Sequence, residues 1–276
     1  HGNCAWRIYV VGPSCFYARF SKSSISMLCA GLIALTAMPA LSQDALTIEA
    51  DDSLEWNQIE GFYQANGNAV ATQGSQTLKG DKLTAFYVPD ENNRELTRML
   101  AEGRVNFKDG ALSGAGTTAD YDIASSHYIL TGPSAFIIGP DGRADADKQI
   151  DFERNNSVMI LQENAHIAMT DGRELFGDHI TVFLDENENV SRVIAKGGVE
   201  VIQNASSSAK GDEADYDHKG NVTVLTGNVT LVDGENKLSG DVAEIDFSTG
   251  ISKIISSKSN GRVSGQFSRL SAGAQK

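Results

Sequence analysis

The chain has 276 residues with 23 Lys and Arg against 36 Asp and Glu, a formal net charge of −13. An acidic balance of this size repels polyanions, so it excludes nucleic acid as a partner and disfavours docking on anionic membrane faces. All three cysteines (Cys4, Cys15 and Cys29) lie in the first 42 residues, so residues 43–276 have no disulfide, thiol chemistry or cysteine metal site.

In chain order, the first recognisable element is a leader. Arg19 and Lys22 precede the apolar run from Met27 to Met38, and small residues follow at Ala40 and Ser42. A basic segment, a short apolar core and a small-x-small site predict a signal peptide cut after Ser42. The run is shorter than the roughly 20 residues of a spanning helix, although an uncleaved anchor is the competing reading. Cys29 lacks a lipobox-like context, and residues 1 to about 18 read as an extension ahead of the leader. Removing residues 1–42 takes away three basic residues and no acidic ones, leaving 20 against 36 and a net charge of −16.

From residue 45 onward, short runs such as Val199-Glu200-Val201-Ile202 and Val229-Thr230-Leu231-Val232 alternate with Gly, Asn and Asp. β-branched and aromatic runs broken by turn residues predict strands throughout. The best helical candidate, Asn93 to Leu100, is short and flows into a strand-like segment. An internal repeat organises the strands. Copies such as Gln64-Ala65-Asn66-Gly67-Asn68-Ala69-Val70 and Leu225-Thr226-Gly227-Asn228-Val229 recur at positions 67, 103, 132, 163, 197 and 227, a period near 32 residues. A Gly-Asp pair follows within most units, at 80–81, 177–178, 211–212 and 240–241, with Ala146-Asp147 and Gly116-Thr117 as variants. An aromatic stands four to six residues further on: Phe86, Tyr121, Phe152, Phe183, Tyr216 or Phe247.

One such unit cannot close a core, so neighbours must stack. At about 10 residues per strand and turn, some 20 strands are expected. No linker divides residues 43–264 into two domains, and residues 265–276 read as an unstructured tail. The Gly-Asp pairs are expected to be turns, with Gly supplying positive φ and Asp bonding the backbone.

The run Ile48 to Trp56, then Gly67-Asn68-Ala69-Val70-Ala71-Thr72, then Leu78-Lys79-Gly80-Asp81-Lys82-Leu83, resembles the opening of the OstA-like domain of the LptA family. The pairing of Tyr121-Asp122 with Leu130-Thr131-Gly132, repeated as Tyr216-Asp217 with Leu225-Thr226-Gly227, extends the resemblance over residues 45 to 262. It implies an all-β fold, an elongated V-shaped β-jellyroll of stacked antiparallel strands. It also implies a periplasmic, non-enzymatic protein without cofactors. Such a protein binds lipopolysaccharide through its lipid A part between two sheets. It joins LptC-like inner-membrane partners, LptD-like outer-membrane partners and its own copies end to end.

Strand alternation sends one set of side chains inward. The expected groove set is Val70, Leu83, Phe86, Val105, Phe107, Tyr121, Phe136, Ile138, Phe152, Ile160, Ile180 and Phe183. Each buried lipid CH₂ contributes about 0.8 kcal/mol, so acyl chains need no ion pair to bind. Leu46, Ile48, Ile251, Ile254 and Val263 mark the terminal strands, whose unpaired backbone can accept a partner strand. Competing readings are a β-solenoid acting on surface polysaccharide and an LptC-like component held by an uncleaved leader. The first would need converging carboxylates, for which Asp120 with Asp122 and Asp215 with Asp217 are the candidates. The histidines fall in different repeats without ligand spacing, so no metal is expected. Asp141 to Asp147 lacks the positions of a calcium loop and reads as a hairpin turn.

Overall fold

Val, Ile, Thr and aromatic runs form eighteen strands in the structure, a computed structural model describing residues 46–89, 95–140, 142–186, 189–256 and 262–268. The leader and the cut expected after Ser42 lie outside the described residues.

The strands are β1 (Thr47–Glu49), β2 (Ser53–Asn57), β3 (Phe62–Gln73), β4 (Gln76–Tyr87), β5 (Leu96–Asp109), β6 (Leu112–Asp122), β7 (His127–Thr131), β8 (Ala135–Gly139) and β9 (Gly142–Ala146). They continue with β10 (Gln149–Glu153), β11 (Val158–Met169), β12 (Glu174–Leu184), β13 (Val190–Asn204), β14 (Ser207–Asp217), β15 (Val222–Asp233), β16 (Asn236–Asp246), β17 (Ile251–Ile255) and β18 (Ser264–Gln266). One single-turn 3₁₀ helix, Arg154–Asn156, joins β10 to β11. Among the described residues no helix is long and apolar enough to cross a membrane. The helical candidate at Asn93 to Leu100 is strand from Leu96 on, because Leu96 to Leu100 pair with the end of β4. β18 carries the sheet to Gln266, two residues into the segment expected as tail, because Leu238 and Lys237 of β16 offer it a partner edge.

Every pairing is antiparallel, and each long strand pairs with the long strand next to it in sequence. The short strands share a neighbour: β1 and β2 both pair with β3, β7 and β8 with β6, β9 and β10 with β11, and β17 and β18 with β16. Most strands are 11 to 15 residues long and cross from one sheet into a second. They bend where the register slips: between Asn66 and Ala69, Glu102 and Val105, Gln162 and Ala165, Lys196 and Val199, and Thr226 and Val229. These slips line up as one seam. Two successive residues there take left-handed backbone, as at Gly67-Asn68, Gly103-Arg104, Glu163-Asn164, Gly197-Gly198 and Gly227-Asn228. Such a bulge bends a strand sharply without ending it. At β7/β8 and β9/β10 the crossing is interrupted instead, by Gly132-Pro133-Ser134 and by Asp147-Lys148.

The Gly-Asp pairs belong to this seam and not to turns, which corrects the sequence expectation. Gly80, Gly177, Gly211 and Gly240 stand inside strands and lack left-handed φ. Asp81, Asp178 and Asp212, together with Asp147 of the variant pair, instead face the left-handed residues of the next strand, while Asp241 accepts from Ser256 Oγ at 2.9 Å. Asp147 accepts a bond from Asn164 Nδ2 at 2.8 Å, Asp212 from Asn228 Nδ2 at 2.8 Å and Asp81 from Arg104 Nε at 2.7 Å. Of the segment Asp141 to Asp147, expected as a hairpin turn, Gly142 to Ala146 form strand β9.

The core lies between the two sheets. Ile150, Leu161, Ile180 and Leu225 come from one sheet and Val105, Val199 and Val229 from the bend into the other, all fully buried. Leu161 pairs with Ile180, and small partners such as Ala101, Ala195 and Ala243 let the sheets close near the seam.

Candidate functional site

The ladder registers assign each expected groove residue to a face. Leu83, Val105, Phe107, Tyr121, Phe152 and Ile180 point between the sheets. Leu83, Val105 and Ile180 are buried, and Phe107 packs on the core. Tyr121, Tyr128 and Phe152 form an inward row with Met99 and Met159, with Tyr121 stacked on Tyr128 at 4.0 Å and Tyr128 on Phe152 at 6.0 Å. Burial first, then Tyr121, pushes the Tyr128 phenol up, so it stays protonated.

The other six point outward, which corrects the expectation for them. Val70 stands opposite Lys79 and Glu49, Ile160 between Asp151 and Thr181, and Phe183 beside Arg192. Arg98 lies over the Phe86 ring at 5.7 Å and Arg143 over Phe136 at 3.9 Å. Ile138 shares the outer face with Arg143 and Ser113. Guanidinium stacking and long apolar stems let a phenylalanine remain outside at little cost. The inward residues that residue type alone did not single out include Leu130, Ile150, Leu161, Val193, Tyr216 and Leu225. Counting alternate positions away from the seam would have found them.

Between β11–β12 and β13–β15 the sheets enclose a cavity of about 80 Å³. Ile167, Met169, Leu175 and Val201 line it from one sheet, and Val193, Ala195, Ala214, Tyr216 and Thr223 from the other. Phe247, Glu174 and Arg173 complete it, and Arg173 is the one cation in that lining. Arg173 sits in the β11–β12 turn, where its Nε donates to Asp171 Oδ2 at 2.8 Å. Asp171 first, and Tyr216 to a lesser degree, hold its pKa above the usual guanidinium value.

The end rungs are incomplete. β1 and β2 pair only with β3, and β17 and β18 only with β16, so among the described residues their outer edges carry no partner. Ile48 and Ile254 face the core from these strands, while Leu46, Ile251 and Val263 are exposed. Among the described residues, eight of the ten exposed large apolar side chains cluster at the two ends: Leu46, Leu54, Trp56 and Ile59 at one, and Ile251, Ile255, Val263 and Phe267 at the other. Leu54 pairs with Ala65 and Trp56 with Tyr63, both in inward rows. They are therefore core positions on which no further rung stacks.

The remaining chemistry lies on the outer face. Arg98 grips Asp120 with Nε–Oδ1 at 2.7 Å, and Arg192 grips Asp215 with Nε–Oδ1 at 2.8 Å. Each carboxylate pair around a tyrosine is thus outward and already matched by an arginine. The ladder also joins what sequence spacing kept apart: His127, Asp151 and Glu153 bring ligand atoms within 4.8 Å of one another. This donor set suits a divalent cation. His127 Nε2 meets Asp151 Oδ1 at 2.6 Å and Asn156 Nδ2 donates to Glu153 Oε2 at 2.6 Å, so each of the three has a protein partner.

A family model described as LptA/(LptD N-terminal domain) LPS transport protein matches residues 47–148 and again 144–251. No curated protein matches the chain significantly. Among solved structures, a crystal structure of LptH from Pseudomonas aeruginosa is similar at 14% identity, over 82% of this chain and 96% of that one, with a TM-score of 0.21. Its title describes LptH as the LptA homologous periplasmic component of the conserved lipopolysaccharide transport device. At that TM-score the superposition adds nothing to the fold, which rests on the strand ladder.

Proposed function

The chain belongs to the LptA/LptD N-terminal domain family of lipopolysaccharide transport proteins, and on that footing we propose that it is a periplasmic carrier that holds lipopolysaccharide by its acyl chains between the two sheets. One observation carries this reading: among the described residues the interior is apolar along its length and no further rung covers it at either end, where the exposed apolar residues concentrate. A net charge of −16 for residues 43–276 gives an anionic lipid no overall attraction. Acyl burial, at about 0.8 kcal/mol per CH₂, supplies the affinity.

The open edges supply the second half of the proposal. An added strand on β1/β2 or β17/β18 would satisfy the backbone and cover Leu54, Trp56, Ile251 and Ile255 in one step. Self-association end to end, with an LptC-like protein at one end and an LptD-like protein at the other, would continue the apolar interior from subunit to subunit.

Photocrosslinking tests the groove. A photoreactive residue at Phe107 or Phe152 is expected to label lipopolysaccharide, and one at Phe86 or Phe136 is not. Labelling from the outward pair alone would refute the groove.

A further inference from the structure

The geometry points to Arg173 as a specificity-determining residue at the groove mouth, one that selects amphiphiles whose acyl chains enter between the sheets and whose phosphate headgroup remains outside. The inference rests on the groove reading above and adds a headgroup preference to it.

Position comes first. Arg173 lies four residues from Gly177 at the seam, on the free end of one sheet. Tyr216 lies four residues from Asp212 at the seam, on the facing sheet. Both line the same cavity, so they stand at matching depth on opposite lips of the V. Phe247, in edge contact with Tyr216 at 6.2 Å, and Met169 complete an apolar collar around the cation.

The charge is available. Both Arg173 Nε and Nη2 approach the same Asp171 oxygen at 2.8 Å. A guanidinium has five N–H donors, so three remain for the mouth and Tyr216. The side chains of Arg173 and Asp171 are 39% and 53% exposed, which makes their pair weak and exchangeable. A phosphate offers more charge and matches the planar fork of the guanidinium. The one carboxylate lining the cavity, Glu174, is bound by His166 Nε2 at 3.0 Å. Asp171 is then the internal anion that a phosphate displaces. It holds the guanidinium in place until the ligand arrives.

The test measures displacement of a fluorescent fatty acid from the protein by diphosphoryl lipid A and by the same lipid chemically dephosphorylated. Wild type is expected to prefer the phosphorylated form about tenfold, the scale of a charged hydrogen bond. Arg173→Gln should remove that preference, so that the two lipids displace the probe at equal concentrations. Arg173→Lys should keep part of it, and Asp171→Asn should increase it. Equal binding of both lipids by wild type, or an undiminished preference in Arg173→Gln, overturns the inference and leaves the groove standing. Failure of wild type to bind either lipid overturns the groove and the inference together.

Discussion

The carboxylate of Asp178 occupies the space that a side chain on Gly197 would need. The two residues come from adjacent strands, β12 and β13, and meet at the seam. Gly197 has φ +79°, which L side chains seldom adopt, and the aspartate closes off the one direction a Cβ could take. Asp81 against Gly103 and Asp212 against Gly227 repeat the contact, and Thr117 plays the aspartate's part against Gly132. The repeat seen in the sequence is therefore a repeated steric fit between a strand and its successor.

Gly197→Ala should destabilise the protein by about 1–3 kcal/mol, combining left-handed strain with the clash at Asp178. Gly172, with φ +88° and open space around it, is the control: Gly172→Ala should cost only the strain, about 1 kcal/mol. Urea unfolding of both variants checks the difference, and equal losses would mean that the Asp178 contact is easily relieved.

Leu161→Ala and Ile180→Ala should each lose about 2–5 kcal/mol, because both side chains are fully buried and directly paired. Phe86→Ala, on the outer face beneath Arg98, should lose less than either. Denaturant midpoints at unchanged m-value decide this, and a core-sized loss at Phe86 would contradict its outward placement.

Acid should weaken the fold through specific carboxylates. Arg192 holds the Asp215 carboxyl below the ordinary 3.8, and the Ser125 hydroxyl and backbone N–H do the same for Asp122. A folded pKa below the unfolded one contributes stability that is complete above the unfolded value and lost as pH falls through the folded one. Stability should hold from pH 7 to about 5 and fall below about 4. In Asp215→Asn, urea midpoints across this range should fall less steeply than in wild type.

Proline on the terminal strand should separate the two sides of β17. Successive N–H groups of a strand point to opposite edges, so one of Ser252 and Lys253 donates towards β16 and the other towards the open side. One of Ser252→Pro and Lys253→Pro should abolish end-to-end association in sedimentation while leaving the monomer's melting temperature nearly unchanged. Association surviving both substitutions would show that this edge is not a joint.

The all-β class and the stacked repeat were legible because each rests on local chemistry that recurs in every unit. The facing of side chains was not, and the repeated aromatic shows why. Tyr121 and Tyr216 stand four residues after the seam residues Thr117 and Asp212, and both point inward. Phe86 and Phe183 stand five after Asp81 and Asp178, and both point outward. Phe152 also stands five after Asp147 yet points inward, because the interrupted crossing at Asp147-Lys148 inserts one more residue before β10. One residue of offset reverses a strand face. Residue type could not correct the count, since arginines cover the outward phenylalanines. The mouth of the cavity was hidden for a different reason. Arg173 and Tyr216 lie in different repeats, and only the bend of the sheets brings them to one opening.

The seam also governs how the molecule yields to force. A strand that crosses it unbroken ties its two halves together, so prising the sheets apart at one rung loads the rungs on either side. Through β3–β6 and β11–β16 that linkage is continuous. At β7/β8 and β9/β10 it is broken on two successive rungs, close to residues 144–148, where the two family matches overlap. The strands that cross unbroken thus fall into two blocks, and between them the sheets are linked by ladder pairing rather than by continuous strands.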